Sequence, residues 1–322
     1  MKTLCTLVLI LVLPASEYNV QNSGGADVRL PGSAGIDAIE ETTPLILGDV
    51  EAFRAEIRQH PDSPEAYYKL GIACLHIPVF PGLVEAREAF KHAIALKPDY
   101  AEAYNGLGFA YHGFQFGLVI YGTQYKFAVK AHEKAIALRP DYSEAYLGLG
   151  IARWGLEQYQ EAIEAYQQAI KLRPDYPEAY SCLSQAYQNS GRYDDAAAAH
   201  QQMMGLVYGQ RESAEQRTGI SPWAKSLNDE YMDYNQLGRL YTEAGQYEKA
   251  VDAHREAIRL NPHEPMLYHN LGLTYLKSGD KESALGQYNL LMSMLRKPGY
   301  GYDQQIIQNS CEDLYYQIKQ SP

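Results

Sequence analysis

A Tyr followed three residues later by Leu-Gly recurs down this chain, and no feature constrains its fold more. Tyr67 leads to Leu70-Gly71, Tyr104 to Leu107-Gly108 and Tyr146 to Leu149-Gly150. Tyr234 leads to Leu237-Gly238 and Tyr268 to Leu271-Gly272, while Tyr180 leads to Leu183-Ser184. Successive tyrosines lie 37, 42, 34, 54 and 34 residues apart. A period near 34 predicts stacked helical hairpins, each burying its apolar face only against its neighbours.

The second half of each unit carries its own pattern. Ala86, Ala128, Ala162, Ala196, Ala250 and Ala284 are each followed four residues later by a ring. Those rings are Phe90, His132, Tyr166, His200, His254 and Tyr288. Ala93, Ala135, Ala169, Met203, Ala257 and Leu291 come three residues further on, with Leu96, Leu138, Leu172, Leu206, Leu260 and Met294 three beyond them. Spacings of four, three and three hold one helical stripe. Pro98, Pro140, Pro174 and Pro262 then stop their helices. Gly and Ala are small where two helix axes approach, and the rings fill the space beside them. Glu65, Glu102, Glu144 and Glu178 fall where a carboxylate complements the helix dipole. Asp99, Asp141 and Asp175 follow the prolines, where they are expected to cap the next helix.

These residues resemble the tetratricopeptide repeat (TPR) family over roughly residues 48–320. The third unit, 143–176, matches at full length without insertion. The first has three extra residues in 76–82, the second eight within 113–127, and the fourth has Ser184 and Tyr208 in place of the Gly and closing Pro. The resemblance implies an all-α protein, a right-handed superhelical solenoid of TPR helical hairpins with N- and C-terminal capping helices. Its parts are expected at 48–204 (a cap helix plus four repeats), 231–295 (two repeats) and 303–319 (a closing helix), with an insertion at 205–230. In the closing helix Ile307, Cys311, Leu314 and Ile318 form one dry side.

In TPR proteins the leading helices line a concave groove that holds a protein or peptide. By resemblance its residues lie one, five and eight positions after the leading Tyr. In the first three units they are Tyr68, Ile72 and Leu75; Asn105, Phe109 and His112; Leu147, Ile151 and Trp154. In the last three they are Ser181, Gln185 and Gln188; Asn235, Arg239 and Thr242; His269, Leu273 and Leu276. The row is apolar in its first half and mixed in its second. Co-chaperone TPR domains clamp a carboxylate with Lys, Asn and Arg along it. Only Asn105 fits that pattern in the first three units, so the clamp activity does not carry over. The competing arrangement has the chain cover its own groove with residues 17–44 or with Phe114, Phe116, Tyr121, Tyr125 and Phe127.

The N-terminus reads as an address. Lys2, an apolar run from Leu4 to Leu13 and Pro14-Ala15-Ser16 have the order of a secretory signal peptide, residues 1–16. That run is shorter than the roughly 20 residues a membrane span needs, so no transmembrane segment is expected in the mature chain. Residues 17–47, with Asn22-Ser23-Gly24-Gly25 and Pro31-Gly32-Ser33, read as a flexible tether. Helical pattern is expected from Gly48, with Val50, Phe53 and Ile57 on one side.

A net charge of −11 with no basic run longer than Arg296-Lys297 argues against a nucleic-acid partner. Cys74, Cys182 and Cys311 read as small buried hydrophobes, since no CxxC or Cys/His cluster exists. His132, His200 and His254 share the ring slot and read as core, not as ligands or bases. No nucleophile elbow, phosphate loop or zinc motif appears. The expected function is therefore a non-enzymatic protein-protein scaffold without cofactor or metal, exported to the periplasm, cell envelope or outside. A cytoplasmic scaffold or chaperone adaptor with an uncleaved or misassigned N-terminus is the alternative.

Overall fold

The computed structural model describes residues 36–75, 80–112, 122–218, 227–295 and 304–320, and all regular structure among them is helical. The expected signal peptide lies outside the described residues. Helix α1, Ile36–Gln59, begins upstream of the expected Gly48 start, while residues 17–35 of the expected tether are outside the description. Packing divides the chain into two compact units, Met1–Ala186 and Tyr187–Pro322.

In the first unit three hairpins follow α1: α2 (Pro64–Leu75) with α3 (Phe80–Leu96), α4 (Ala101–His112) with α5 (Gly122–Leu138), and α6 (Ser143–Gly155) with α7 (Tyr159–Leu172). Helix α8 (Pro177–Asn189) follows, and the division between units falls within it. In the second unit α9 (Tyr193–Thr218) packs on α10 (Leu227–Glu243). Then come α11 (Tyr247–Leu260), the hairpin α12 (Pro265–Ser278) with α13 (Lys281–Leu295), and α14 (Gln304–Gln320). Helix α9 runs well into the segment 205–230, whose Ser221-Pro222-Trp223 lies outside the described residues.

The Gly-and-ring pattern resolves into a seat. Phe90 on α3 is fully buried between Gly71 of its own hairpin and Gly106 of the next leading helix. A Cβ at either glycine would come within 2.6 Å of the ring, well inside van der Waals contact. His132 is held likewise between Gly108 and Gly148, while Tyr166 sits on Gly150 and His254 on Gly238. Small residues thus buy close helix approach, and each buried aromatic of this kind removes roughly 150–250 Å² from water. The stripe ends early, however. Leu96 and Leu172 in the last helical turns are 44% and 40% exposed.

A second periodic device joins the hairpins of the first unit. Lys97, Arg139 and Arg173 end the trailing helices and lie over Tyr100, Tyr142 and Tyr176, the last two guanidinium groups 3.5 and 3.2 Å from the ring centroids. The same cations reach back to Glu65, Glu102 and Glu144, Arg139 and Arg173 each at 2.7 Å. One clasp therefore ties the start of a leading helix, the end of its partner and the entry to the next hairpin. A stacked cation over an aromatic ring contributes about 0.5–2 kcal/mol, and the half-exposed ion pair about 0–1 kcal/mol.

This device corrects the expected cap. The N-cap of α6 is Tyr142, whose side chain makes no capping bond, and Asp141 lies one residue too early. The cap position is committed to the ring beneath Arg139. The first-turn glutamates do stand where the dipole favours them.

Turns between paired helices follow one geometry wherever no insertion intervenes. Gly191, Gly245 and Gly279 adopt φ of 75°, 76° and 87°, and Glu157 adopts φ of 63° at the equivalent place. The next residue donates its N–H five residues back, as in Arg192 to Tyr187 and Gln158 to Arg153. This is the Schellman closure of a helix.

Candidate binding faces

On the leading helices of the first unit, six of the expected groove residues are buried: Ile72, Asn105, Phe109, His112, Leu147 and Ile151. Tyr68 and Trp154 are half-buried. Tyr68 leans on Phe90 and Tyr100, with ring centroids 5.9 and 5.2 Å away. Ile72 joins the cluster around Phe90 and Leu107. Phe109 meets His112 and His132 in T-shaped contacts, ring centroids 5.4 and 5.0 Å apart.

Asn105 and His112 belong to a buried polar line across α4, α5 and the entry to α6. Asn105 Nδ2 donates to Tyr142 Oη at 3.3 Å, which leaves its Oδ1 facing His132 Nδ1 at 2.9 Å. His132 then carries its proton on Nδ1, and its Nε2 accepts from His112 Nε2, 3.3 Å away. Burial pushes the His112 pKa down to about 3, the Gly148 backbone opposing it. Burial pushes His132 well below its ordinary value too, helped by the charge His112 would carry. Both rings are neutral in the fold. Sequence reading placed His132 in the core correctly but did not see it converge with His112 and Asn105, since the first lies on a trailing helix and the others on a leading one.

Part of the second repeat's insertion touches this line. Tyr125 at the start of α5 lies 6.3 Å from His112 and against Gly155, and Phe127 stacks on Tyr111 at 5.4 Å. Phe114, Phe116 and Tyr121 lie outside the described residues. Trp154 presents a different feature: its Nε1 is buried and has no hydrogen-bond partner among the described residues.

The leading-helix face of the second structural unit is built from amides and hydroxyls. Gln188 pairs with Gln236 at 3.1 Å, Asn235 with Asn270 at 2.9 Å and Thr242 with Thr274 at 2.7 Å. Arg239 is exposed among them, and its charge adds to the burial that lowers His254 to about 4. Gln185 on α8, in the first unit, is half-buried. At the last repeat His269 donates to Asp313 of α14 at 2.8 Å.

Cys74, Cys182 and Cys311 are buried, and burial pushes the Cys74 thiol up to about 12. Among the described residues no group of three or more His, Cys, Asp or Glu is placed to hold a metal. No described helix is long and apolar enough to cross a membrane.

These hairpins define a helical-repeat protein whose leading helices carry its candidate faces. The TPR repeat family model matches residues 83–113, 155–191 and 238–279, and two tetratricopeptide repeat models match 179–215 and 267–294. The chain belongs to the tetratricopeptide repeat family. Among solved structures it is similar to the Cut9–Hcn1 hetero-tetramer of the APC/C, at 16% identity and a TM-score of 0.52, over 96% of this chain and 52% of that one. It is also similar to YrrB, described as a TPR protein with an unusual peptide-binding site. There the identity is 21% and the TM-score 0.48, over 68% of this chain and 97% of that one. MamA matches at 26% identity and a TM-score of 0.45, over 56% of this chain and 99% of that one. None of the curated proteins matches this chain.

Proposed function

We propose that this protein is a non-enzymatic scaffold, exported to the cell envelope or outside, that holds a protein or peptide segment on its leading-helix faces. The observation carrying this reading is Trp154. Its ring is half-buried on α6, yet its indole N–H has no partner among the described residues. Buried Trp N–H groups usually find an acceptor, and a turn of the half-exposed ring would bring this one to a backbone carbonyl of a bound segment. Trp is also a common anchor of binding energy. Tyr68 in the first unit and the amides with Arg239 in the second extend the recognition chemistry from apolar contact to backbone hydrogen bonding. Export rests on the order of charge, apolar run and small residues in 1–16.

Two measurements test the reading. N-terminal sequencing of the mature protein should begin after Ala15 or Ser16; intact Met1 on a cytosolic protein would shift the role to a cytoplasmic adaptor. Partner capture should then be compared for the wild type and Trp154→Ala, the variant losing about 2 kcal/mol or more of affinity. In a Trp223→Phe background, Trp154 is the sole indole, and its emission should move on adding the captured partner. Unresponsive, already blue-shifted emission would mean that the chain covers this face itself.

A further inference from the structure

The first and third repeats compare position by position, because Gly71 and Phe90 of one correspond to Gly150 and Tyr166 of the other. In that register Tyr67 corresponds to Tyr146, Glu85 to Glu161, Glu88 to Glu164 and His92 to Gln168. The first repeat answers its ring and both carboxylates from within the chain. His92 stacks on Tyr67 with ring centroids 5.2 Å apart. Arg54 of α1 holds Glu85 by two hydrogen bonds of 2.9 and 2.6 Å, and Lys91 holds Glu88 at 2.8 Å.

The third repeat keeps the ring and both carboxylates but has none of these partners. Gln167 and Gln168 stand where Lys91 and His92 stand in the first. No cation among the described residues pairs with Glu161 or Glu164, and Glu164 accepts an amide N–H from Gln160 at 3.3 Å. Arg153 turns instead to Glu133 at 2.8 Å and Gln158 at 3.1 Å, so its charge is already answered. Between α6 and α7 a cavity of about 540 Å³ opens, lined among others by Tyr146, Leu149, Glu161, Glu164 and Gln168. That volume lies in the range of ligand pockets, about 300–1,000 Å³. Other repeats use the position of Glu161 differently. The second has Phe127 there, stacked on Tyr111 at 5.4 Å, and the fifth has Lys249, 5.4 Å from the Tyr241 ring.

We propose that the cavity between α6 and α7 is a seat for an arginine-bearing segment of a partner protein. Two neighbouring arginines fit its chemistry. One pairs with Glu161 as Arg54 does with Glu85, and the other lies on Tyr146 beside Glu164, as His92 lies on Tyr67 beside Glu88. Arginine suits both places, since its fork matches a carboxylate and its plane stacks on an aromatic ring. The seat goes beyond the leading-helix role above and uses a different side of α6. Tyr146 and Arg153 each stand one residue before a member of the Trp154 row, Leu147 and Trp154 itself, which turns them about 100° around the helix.

The probe is a labelled, end-blocked peptide with two adjacent arginines, titrated against the full chain by fluorescence anisotropy at low and moderate salt. It is expected to bind the wild type, less tightly as salt rises, and to bind the Glu161→Gln, Glu164→Gln double variant about tenfold or more weakly. Both substitutions are on exposed side chains, so the fold is kept. Gln168→His, which copies the first repeat and covers Tyr146, should weaken binding too. The peptide with citrulline for arginine should not bind, and Glu248→Gln with Asp252→Asn, exposed on α11, should bind as the wild type does. No binding to the wild type overturns the proposal. Equal loss in the α11 variant overturns it as well, because the acidic surface at large then attracts the peptide. Spermidine competing as well as an excess of the unlabelled peptide would assign the seat to a free polyamine and overturn the protein segment. Trp154→Ala should leave this affinity unchanged, which separates a failure here from a failure of the leading-helix face.

Discussion

His112 and His132 face each other Nε2 to Nε2 at 3.3 Å, both buried, on the two helices of one hairpin. Such a pair accommodates one proton between its rings, and a second would turn two N–H donors on each other and leave a positive charge away from water. His132 is further fixed by Asn105, which Tyr142 fixes in turn. The groups facing the pair are neutral: Tyr125 beside His112 and Tyr142 beyond Asn105, the latter under Arg139.

Acid should therefore loosen the first unit. The folded-state pKa of His112, about 3, lies below its ordinary 6.5, so the unfolded chain takes up the proton first. The stability of the neutral ring is full above 6.5 and is lost progressively as pH falls through that window toward about 3. Each such ring costs about 1.4 kcal/mol per pH unit there. Urea midpoints followed from neutral to acid pH should show this slope, and His132→Phe should reduce it by about one proton. An unchanged slope in the variant would mean that His132 is charged in the fold.

His254 occupies the same slot as Phe90 and Tyr166, fully buried, with neither ring nitrogen bonded to any described residue. An imidazole there forfeits its hydrogen bonds with water and gains none in return. His254→Phe is expected to raise stability by about 1–3 kcal/mol at neutral pH, and by more in acid, where the wild-type ring resists protonation. Thermal melts at two pH values decide it. A loss of stability would show that the slot is too small for the phenyl ring or that the imidazole has an acceptor.

Much of the fold was legible because packing wrote it periodically. The Leu-Gly pairs mark where rings such as Phe90 and Tyr166 must approach backbone, and that signal survives a drifting repeat length. The clasp was less legible. The strings Lys97-Pro98-Asp99-Tyr100, Arg139-Pro140-Asp141-Tyr142 and Arg173-Pro174-Asp175-Tyr176 are plain in the sequence, yet Glu102 and Glu144 join them only through space. The candidate site was harder still. Family register places Asn105 and His112 on a ligand-facing row, while the buried line through His132 has no local pattern because its members come from different helices.

The ring seats can be tested by contrast. A Cβ on Gly148 would meet the His132 ring, itself pressed from its other side by Gly108. Gly148→Ala is expected to cost about 1–3 kcal/mol, the range for overpacking a core. Gly286 on α13 has nothing within 4 Å of a Cβ, so Gly286→Ala should stabilise by about 0.5–1 kcal/mol through helix propensity alone. Chemical denaturation of both variants, with circular dichroism as the readout, should give opposite signs. The same sign for both would show that Gly148 is not seated on the ring.

Glu157 is the one non-glycine residue of positive φ among those described, at 63°. Its equivalents are Gly191, Gly245 and Gly279, and the same backbone bonds close all four helices. A side chain in this conformation crowds its Cβ against the following carbonyl, costing roughly 1–2 kcal/mol, whereas glycine pays only the entropy of a freer unfolded chain. Glu157 is exposed, so no packing is at stake. Relief of strain therefore exceeds the entropic penalty, and Glu157→Gly is expected to stabilise the chain by about 0.5–1 kcal/mol. Glu157→Ala is the control, because it removes the carboxylate and keeps the Cβ. It should show no such gain. If the two variants are equally stable, the carboxylate rather than the backbone conformation sets the effect, and the strain assigned to this turn is absent.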